Sequence, residues 1–163
     1  YDHAVTGVVT NCLSISGRGA SNNVQTAAKF NGTSWSSIAQ PQPRCYHGAV
    51  GNSSNAVTAG GLYTSSVSSS TNTCYQFNGT SWSTKAYMLQ NQYHFSYFGT
   101  PDYFVCAGGR YYQTQSTANN RTQIFNGTAW LNGAVCSLYT QRGFGTAGEG
   151  VNFSGNGSEL YYS

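Results

Sequence analysis

Three histidines are the side chains of this sequence best suited to bind a metal ion, and they recur with the period of a repeated unit. His3, His47 and His94 open the runs His-Ala-Val, His-Gly-Ala-Val and His-Phe-Ser, which we align as corresponding positions. Imidazoles that converge can bind zinc or copper. Side chains at repeated positions usually serve the packing and hydrogen bonding of the repeat itself, so we predict no metal site and no cofactor.

The carboxylates of the chain are too few and too scattered for acid–base catalysis. Glycoside hydrolysis needs two carboxylates that face each other across a cleft. The sequence also lacks the Gly-x-Ser-x-Gly turn of serine hydrolases, and its glycine-rich segment 143–150 lacks the lysine of a phosphate-binding loop. We therefore predict no catalytic residue and a protein that is not an enzyme. The four acidic residues are Asp2, Asp102, Glu149 and Glu159.

The five cysteines can either form disulfides or lie in the interior as small buried thiols. None belongs to a Cys-x-x-Cys pair, which argues against a thiol redox site or a zinc ribbon. An odd number leaves at least one cysteine unpaired within the chain, and in an oxidising compartment that residue could bridge to another chain. We expect at least one disulfide, with the pairing left open. The candidates are Cys12, Cys45, Cys74, Cys106 and Cys136.

Seven asparagines begin an Asn-x-Ser/Thr sequence, the acceptor motif for N-linked glycan. Three of them recur in one repeated turn, where asparagine is also a preferred turn residue, so turn formation alone accounts for their presence. The two roles are compatible, because the tip of a hairpin is exposed. We expect some of the seven to carry glycan. They are Asn31, Asn52, Asn78, Asn120, Asn126, Asn152 and Asn156.

A six-residue sequence occurs three times and contains every tryptophan of the chain. Phe-Asn-Gly-Thr-Ser-Trp spans 30–35 and 77–82, and Phe-Asn-Gly-Thr-Ala-Trp spans 125–130, so the tryptophans are 47 and 48 residues apart. Glycine doublets keep the same period, with a weaker Ser-Gly counterpart at 16–17. A fixed period of this length indicates a repeat architecture. The residues expected to pack the repeat are Trp35, Trp82, Trp130, Gly60, Gly61, Gly108 and Gly109.

The repeats divide one domain, 1–163, into units 1–44, 45–92 and 93–142 and a partial unit 143–163. Each full unit contains four short strands separated by turn signals, which predicts an all-β fold. In the third unit the second and third strands are 103–107 and 122–125. In the second unit the strands are 47–50, 55–59, 73–77 and one that begins at 80–82. Asn-Gly before the last strand predicts a type I′ turn, in which both residues have positive φ.

The composition excludes several kinds of partner. Only 7% of the residues are charged, while 15% are aromatic, and this combination suits a β scaffold with long polar loops. The seven basic residues are scattered singly, whereas nucleic-acid binding needs a row of phosphate contacts. No apolar run approaches the roughly 18 residues of a membrane span. We therefore predict neither nucleic-acid binding nor membrane insertion.

Taken together, these features resemble the kelch repeat of the galactose-oxidase and kelch type. The best match is Arg44 and His47 before the first strand, the doublet Gly60 and Gly61 after the second, and Trp82 after the turn. The resemblance implies four-stranded blades of a β-propeller, with the tryptophan packed between blades. Propellers have about four to eight blades, and this sequence supplies about three and a half. It therefore implies an incomplete propeller that neighbouring chains complete.

Two departures accompany the resemblance. Unit one has Ser-Gly-Arg-Gly in place of the glycine doublet, and asparagine replaces the usual acidic residue before each turn. No set of tyrosines and histidines stands out as ligands for the copper of galactose oxidase. The run Asn-Gly-Thr-Ser-Trp is also similar to repeats of surface and phage-fibre proteins.

Two functions remain open at this point. The first is a non-enzymatic structural subunit, extracellular or at a cell or virion surface, that assembles with itself into a homo-oligomer or filament. The alternative is an adhesin or viral fibre module that binds carbohydrate or a receptor through its loops, since exposed tyrosine can stack on sugar rings. The tyrosines outside the turn motif, of which we expect about half to pack between blades, are Tyr63, Tyr87, Tyr93, Tyr97, Tyr111, Tyr112, Tyr139, Tyr161 and Tyr162.

Overall fold

The computed structural model describes residues 2–19, 26–40, 42–64, 66–111 and 119–136, together with the backbone of two short strands at 154–155 and 160–161. Within these ranges the chain is all-β, with one turn of 3₁₀ helix at Val67–Ser69 and no α-helix. The predicted all-β class is therefore confirmed. None of the helical structure in these ranges is long and apolar enough to cross a membrane.

Each of the three full units forms one four-stranded antiparallel sheet, and its strands pair in chain order. Sheet one contains β1 (Ala4–Val8), β2 (Asn11–Ile15), β3 (Ala27–Phe30) and β4 (Trp35–Ile38). Sheet two contains β5 (Gly48–Gly51), β6 (Ala56–Ala59), β7 (Cys74–Phe77) and β8 (Trp82–Thr84). The strands predicted for the second unit are thus found within about two residues of their expected bounds.

The chain between sheets two and three forms a short extra strand, β9 (Gln92–Tyr93). Sheet three then contains β10 (Ser96–Thr100), β11 (Tyr103–Ala107), β13 (Thr122–Phe125) and β14 (Trp130–Asn132). The short strand β12 (Arg110–Tyr111) pairs with β9 in a separate two-stranded sheet, which ties the start of the unit to its middle. Near the end of the chain β15 (Ser154–Gly155) pairs with β16 (Leu160–Tyr161). The rest of the predicted partial unit lies outside the described residues.

The first strands of the three sheets lie side by side, with β1 against β5 and β5 against β10. Alternate residues of a strand point to opposite faces of the sheet, so each sheet has two faces for its neighbours. The core between sheets one and two contains Ala4, Leu13, Ile15, Ala49, Ala56 and Phe77. The core between sheets two and three contains Val50, Val57, Ala59, Cys74, Met88, Phe95, Phe104, Cys106, Phe125 and Trp130.

A glycine near the end of each first strand is a further repeat feature that the sequence analysis missed. Gly7, Gly51 and Gly99 have φ of 122°, 107° and 119°. A Cβ atom at these positions would lie 2.3, 2.2 and 2.0 Å from a backbone carbonyl oxygen across the hairpin. Any larger residue would force the strand ends apart, so glycine is required here.

These glycines give the true alignment of the units and correct the histidine alignment. Ala4, Gly48 and Ser96 all pair with the last residue of the second strand in their own sheets. His3 and His47 precede these positions directly, whereas His94 lies one residue earlier in its unit. The expected correspondence of the three histidines is therefore wrong for His94, which takes the place of Tyr46.

The repeated hairpin turn also differs from the prediction. Only its glycines have positive φ, namely Gly32, Gly79 and Gly127, so the predicted type I′ turn is wrong. In the first copy the Asn31 side chain instead accepts hydrogen bonds from the backbone N–H groups of Thr33 and Ser34, at 3.0 and 2.9 Å. The other two copies repeat this arrangement. Asparagine is therefore present for its side-chain acceptor, which closes the turn.

Candidate functional site

A phenylalanine–tryptophan pair recurs in the three sheets with nearly constant geometry. Its members are opposite each other on the last two strands, as for Phe30 and Trp35. The ring centroids of this pair are 5.1 Å apart at an interplanar angle of 36°. The corresponding pairs, Phe77 with Trp82 and Phe125 with Trp130, have 5.0 Å with 38° and 5.5 Å with 37°. All three sheets therefore present the same aromatic surface.

Within the chain this aromatic surface packs on the preceding sheet. Phe77 is fully buried in the core between sheets one and two, and Trp82 packs against this core. The Nε1 of Trp82 donates to the carbonyl of Ala39 at 2.7 Å. Phe125 and Trp130 are buried in the core with sheet two. The tryptophans of the second and third copies thus pack between sheets.

The first copy of the aromatic surface is uncovered among the described residues. Trp35 is 54% exposed, whereas its counterpart Trp130 is 4% exposed. Val5 is 46% exposed, whereas its counterpart Ala49 is fully buried. The neighbouring Cys12 is only half-buried. We call this surface, formed by Val5, Cys12, Ser14, Phe30 and Trp35, the open face of sheet one.

The open face has the properties of an interaction surface. Its polar groups carry no charge, and its side chains already hold the geometry that the buried copies have. Covering a half-exposed tryptophan and valine contributes about 2 kcal/mol to association. The repeated motif marks Trp35 as a packing residue, but the contribution of Val5 and Phe30 follows only from their place in the sheet.

A buried arginine fixes the connection between sheets one and two. Arg44 is fully buried, and its Nη1 donates to the carbonyls of Gly60 and Thr73 at 3.1 and 3.2 Å. Its guanidinium also lies over the ring of Tyr75, 5.0 Å from the centroid. Burial lowers the pKa of Arg44 below its ordinary value, with partial compensation from Tyr63, Tyr75 and Cys74. The side chain therefore replaces water at strand-end carbonyls.

The corresponding connection between sheets two and three uses glutamine. Gln92 Nε2 donates to the carbonyl of Gly108 at 2.5 Å, and Gln123 Nε2 donates to Gln92 Oε1 at 2.6 Å. Both glutamines are buried. The structure thus assigns structural roles to the polar interior. The sequence analysis missed Gln92, because the residue type differs from Arg44 although the position in the unit is the same.

The histidines do not converge on one another. His47 is buried, His3 is exposed, and the His94 ring lies 3.7 Å from the Tyr46 ring, centroid to centroid. Burial, followed by the nearby charges of Arg44 and His3, lowers the pKa of His47 well below 6.5. The backbone of Ile15 partly opposes this lowering of the pKa. In the described ranges no group of three or more His, Cys, Asp and Glu side chains could hold a metal ion.

The five cysteines are free thiols, so the expected disulfide is wrong for this structure. Cys74 and Cys106 are buried in the core between sheets two and three, while Cys45 is buried in a separate cluster. Burial raises the pKa of Cys74 to about 12 and that of Cys106 well above its ordinary value. Cys12 and Cys136 are only partly buried; Cys12 lies in β2, whereas Cys136 follows β14. The cysteines are thus distributed over several layers of the fold.

The glycosylation motifs lie mainly on hairpin tips. Asn31, Asn78 and Asn126 are exposed, and each uses its Oδ1 as the turn acceptor described above. Asn52 is half-buried and closes the β5–β6 hairpin in the same way, and Asn120 is also half-buried. Glycan attachment at these positions stays a prediction. Asn152 and Asn156 lie outside the described residues.

The tyrosines divide between interior and surface. Tyr93 is buried, and Tyr97 packs its ring against Phe104 with centroids 6.2 Å apart. Tyr87, which follows β8, and Tyr103, which begins β11, are exposed. Tyr112, Tyr139 and Tyr162 lie outside the described residues, and Tyr161 is described by its backbone alone.

A second cluster lies where the first strands begin, and we call it the strand-start cluster. Asp2, Tyr46 and His94 have φ of 61°, 57° and 56°. Tyr46 N donates to the carbonyl of Asp2 at 3.3 Å, and His94 N donates to that of Tyr46 at 3.1 Å. Arg18 Nη1 donates to the Tyr46 hydroxyl at 3.0 Å, and Tyr93 packs against Tyr46. Left-handed backbone at such residues costs on the order of 1–3 kcal/mol each.

No protein-family model matches the chain, and no curated protein matches it. The resemblance to kelch repeats and to surface and phage-fibre repeats therefore rests on the residues themselves.

Proposed function

We propose that this chain is a non-enzymatic structural subunit, extracellular or at a cell or virion surface, that assembles with copies of itself. The observation that carries the proposal is the open face of sheet one. Its Phe30–Trp35 pair repeats the geometry of two pairs that are packed against a preceding sheet in the same chain. A further sheet of the same kind is the partner that this surface fits best.

The proposed architecture is that of kelch-like propeller blades. Side-by-side first strands and sheets that pack face to face in sequence support it. About three and a half units in the sequence are too few for an ordinary propeller. We therefore propose that a neighbouring chain supplies the sheet that covers Trp35, which gives a ring if the rotation closes and a filament if it does not.

The use of the polar interior supports a structural role. The buried Arg44, Gln92 and Gln123 are engaged with backbone carbonyls or with one another. Burial raises the pKa of the thiols of Cys74 and Cys106, which disfavours the nucleophilic thiolate. These groups hold the sheets together.

Native mass measured by light scattering over a range of protein concentrations tests the proposal. We expect particles heavier than the 17.4 kDa chain, with a mass that rises with concentration, and rings or filaments in electron micrographs of the same sample. A 17.4 kDa particle at every concentration would contradict assembly between copies.

A further inference from the structure

The strand-start cluster combines features that the proposed assembly does not use. Asp2, Tyr46 and His94 each lie two residues before a first strand, and these strands, β1, β5 and β10, lie side by side. Backbone hydrogen bonds link the three residues in a row. All three are half-buried, so part of each residue is exposed to solvent. The cluster lies at the strand ends, whereas the open face of sheet one lies on the flat side of a sheet.

The left-handed backbone of these three residues points to a role for their side chains. Glycine occupies the other positive-φ positions among the described residues except Ser16, and the turn glycines are the same residue in all three units. At the strand starts the three units carry Asp, Tyr and His instead. Glycine would adopt this backbone without strain, so backbone geometry alone does not account for a carboxylate, a phenol and an imidazole. Strain of this kind is commonly retained at binding sites.

The chemistry of the cluster fits a ligand rich in hydroxyl groups. The Tyr46 hydroxyl accepts a hydrogen bond from Arg18 and interacts with Asp2, so donors and acceptors lie together. Burial raises the pKa of Tyr46, which keeps its hydroxyl protonated. The half-buried rings of Tyr46 and His94 adjoin these polar groups, and the buried Tyr93 supports the His94 ring from the interior, with their centroids 5.3 Å apart. Aromatic rings beside planar polar groups can contact both the C–H and the O–H groups of a sugar.

We infer that the strand-start cluster is a saccharide-binding site. The Asp2 carboxylate offsets the charge of Arg18, so the cluster suits a neutral sugar ring better than a phosphate or another small anion. Its binding does not depend on assembly, because every residue of the cluster comes from one chain.

An array of immobilised oligosaccharides that end in hexose, N-acetylhexosamine or uronic acid tests the inference, followed by calorimetric titration of the best-bound sugar. We expect Tyr46→Phe and His94→Gly to bind that sugar at least tenfold more weakly than the wild-type chain. Tyr46→Phe keeps the ring contact with His94 but loses the hydrogen bond from Arg18, whereas His94→Gly loses ring contacts but removes left-handed strain. Thermal melts of both variants are measured alongside, and only a folded variant counts in the comparison of binding.

His3→Ala is the matched control, because His3 is an exposed histidine next to the cluster that is outside the row. It should bind like the wild type. Absence of wild-type binding to every arrayed sugar would overturn the inference, and so would unchanged binding by Tyr46→Phe and His94→Gly. Strongest binding by uronic-acid sugars, lost in Arg18→Gln but not in Tyr46→Phe, would also overturn it in favour of an anion site.

Discussion

Arg44 and Gln92 donate to backbone carbonyls at equivalent positions of successive units. Arg44 Nη1 donates to the carbonyl of Gly60 at 3.1 Å, and Gln92 Nε2 donates to that of Gly108 at 2.5 Å. Each side chain precedes the first strand of its sheet and reaches the end of the second. Two different side chains thus satisfy the equivalent buried carbonyl of each unit, which shows that this hydrogen bond is part of the repeat.

Arg44→Met should destabilise the fold by about 2–3 kcal/mol, because it leaves the buried Gly60 carbonyl without a donor and leaves the Thr73 carbonyl only the backbone N–H of Gly60. Urea unfolding at pH 7 measures this loss. The third unit pairs Gln92 with Gln123, and Gln123 occupies the position of Tyr75. The double variant Arg44→Gln/Tyr75→Gln should therefore recover part of the stability that Arg44→Gln alone loses. If the losses of stability from Arg44→Gln and Tyr75→Gln simply add in the double variant, the glutamine pair of the third unit cannot replace Arg44 and Tyr75 in the second.

His47 should make the stability of the protein depend on pH below about 6.5. Its folded-state pKa lies well below 6.5, so the unfolded chain binds the proton more tightly than the folded chain. The contribution is complete above 6.5 and is lost as the pH falls from 6.5 toward the folded pKa. Thermal melts between pH 8 and pH 5 should show a shallower fall for His47→Gln than for the wild type. Parallel curves for the two proteins would be inconsistent with a neutral buried imidazole.

The cysteines should differ in their reaction with a thiol reagent such as Ellman's reagent. Cys12 and Cys136 are partly exposed and should react with the native protein. Cys74 and Cys106 are buried with raised pKa values, so they should react only after the protein is unfolded. Fewer than five reactive thiols in the protein unfolded by denaturant without reductant would indicate a disulfide and would contradict the free thiols of the structure.

Production in a secretory eukaryotic host should attach N-glycan at the exposed hairpin tips. Thr80→Ala removes the motif at Asn78 but keeps the Asn78 side chain that closes the turn, so it should reduce the mass by one glycan without lowering the melting temperature. Asn78→Gln should remove the same glycan and also lower the melting temperature, since it loses the turn acceptor. An unglycosylated secreted wild-type chain would refute the prediction.

Local signals predicted much of the fold. The strands at 103–107 and 122–125 follow from their apolar residues and flanking turns, and both are found with those bounds. Alignment of residue types failed where different side chains do the same work, as with Arg44 and Gln92. It failed again where His94 was aligned with His47, because the glycines that set the register have no apolar pattern to mark them.

The open face could be predicted only in part. The sequence indicates that Trp35 belongs to a packing motif, but the same motif is buried in the third unit and exposed in the first. Burial depends on whether a neighbouring sheet is present, and no local sequence pattern encodes that. The left-handed φ of Tyr46 is likewise a property of the chain path at the strand start.

Sedimentation velocity of the Trp35→Ser variant tests the central claim most directly. Tyr87→Ser is the matched control, since Tyr87 is 57% exposed and Trp35 is 54% exposed, but Tyr87 lies outside the open face. The account predicts that Trp35→Ser associates at least tenfold more weakly than the wild type, while Tyr87→Ser associates normally. Equal association of all three proteins, or a wild-type chain that remains monomeric, would contradict the claim that the open face of sheet one joins one copy to the next.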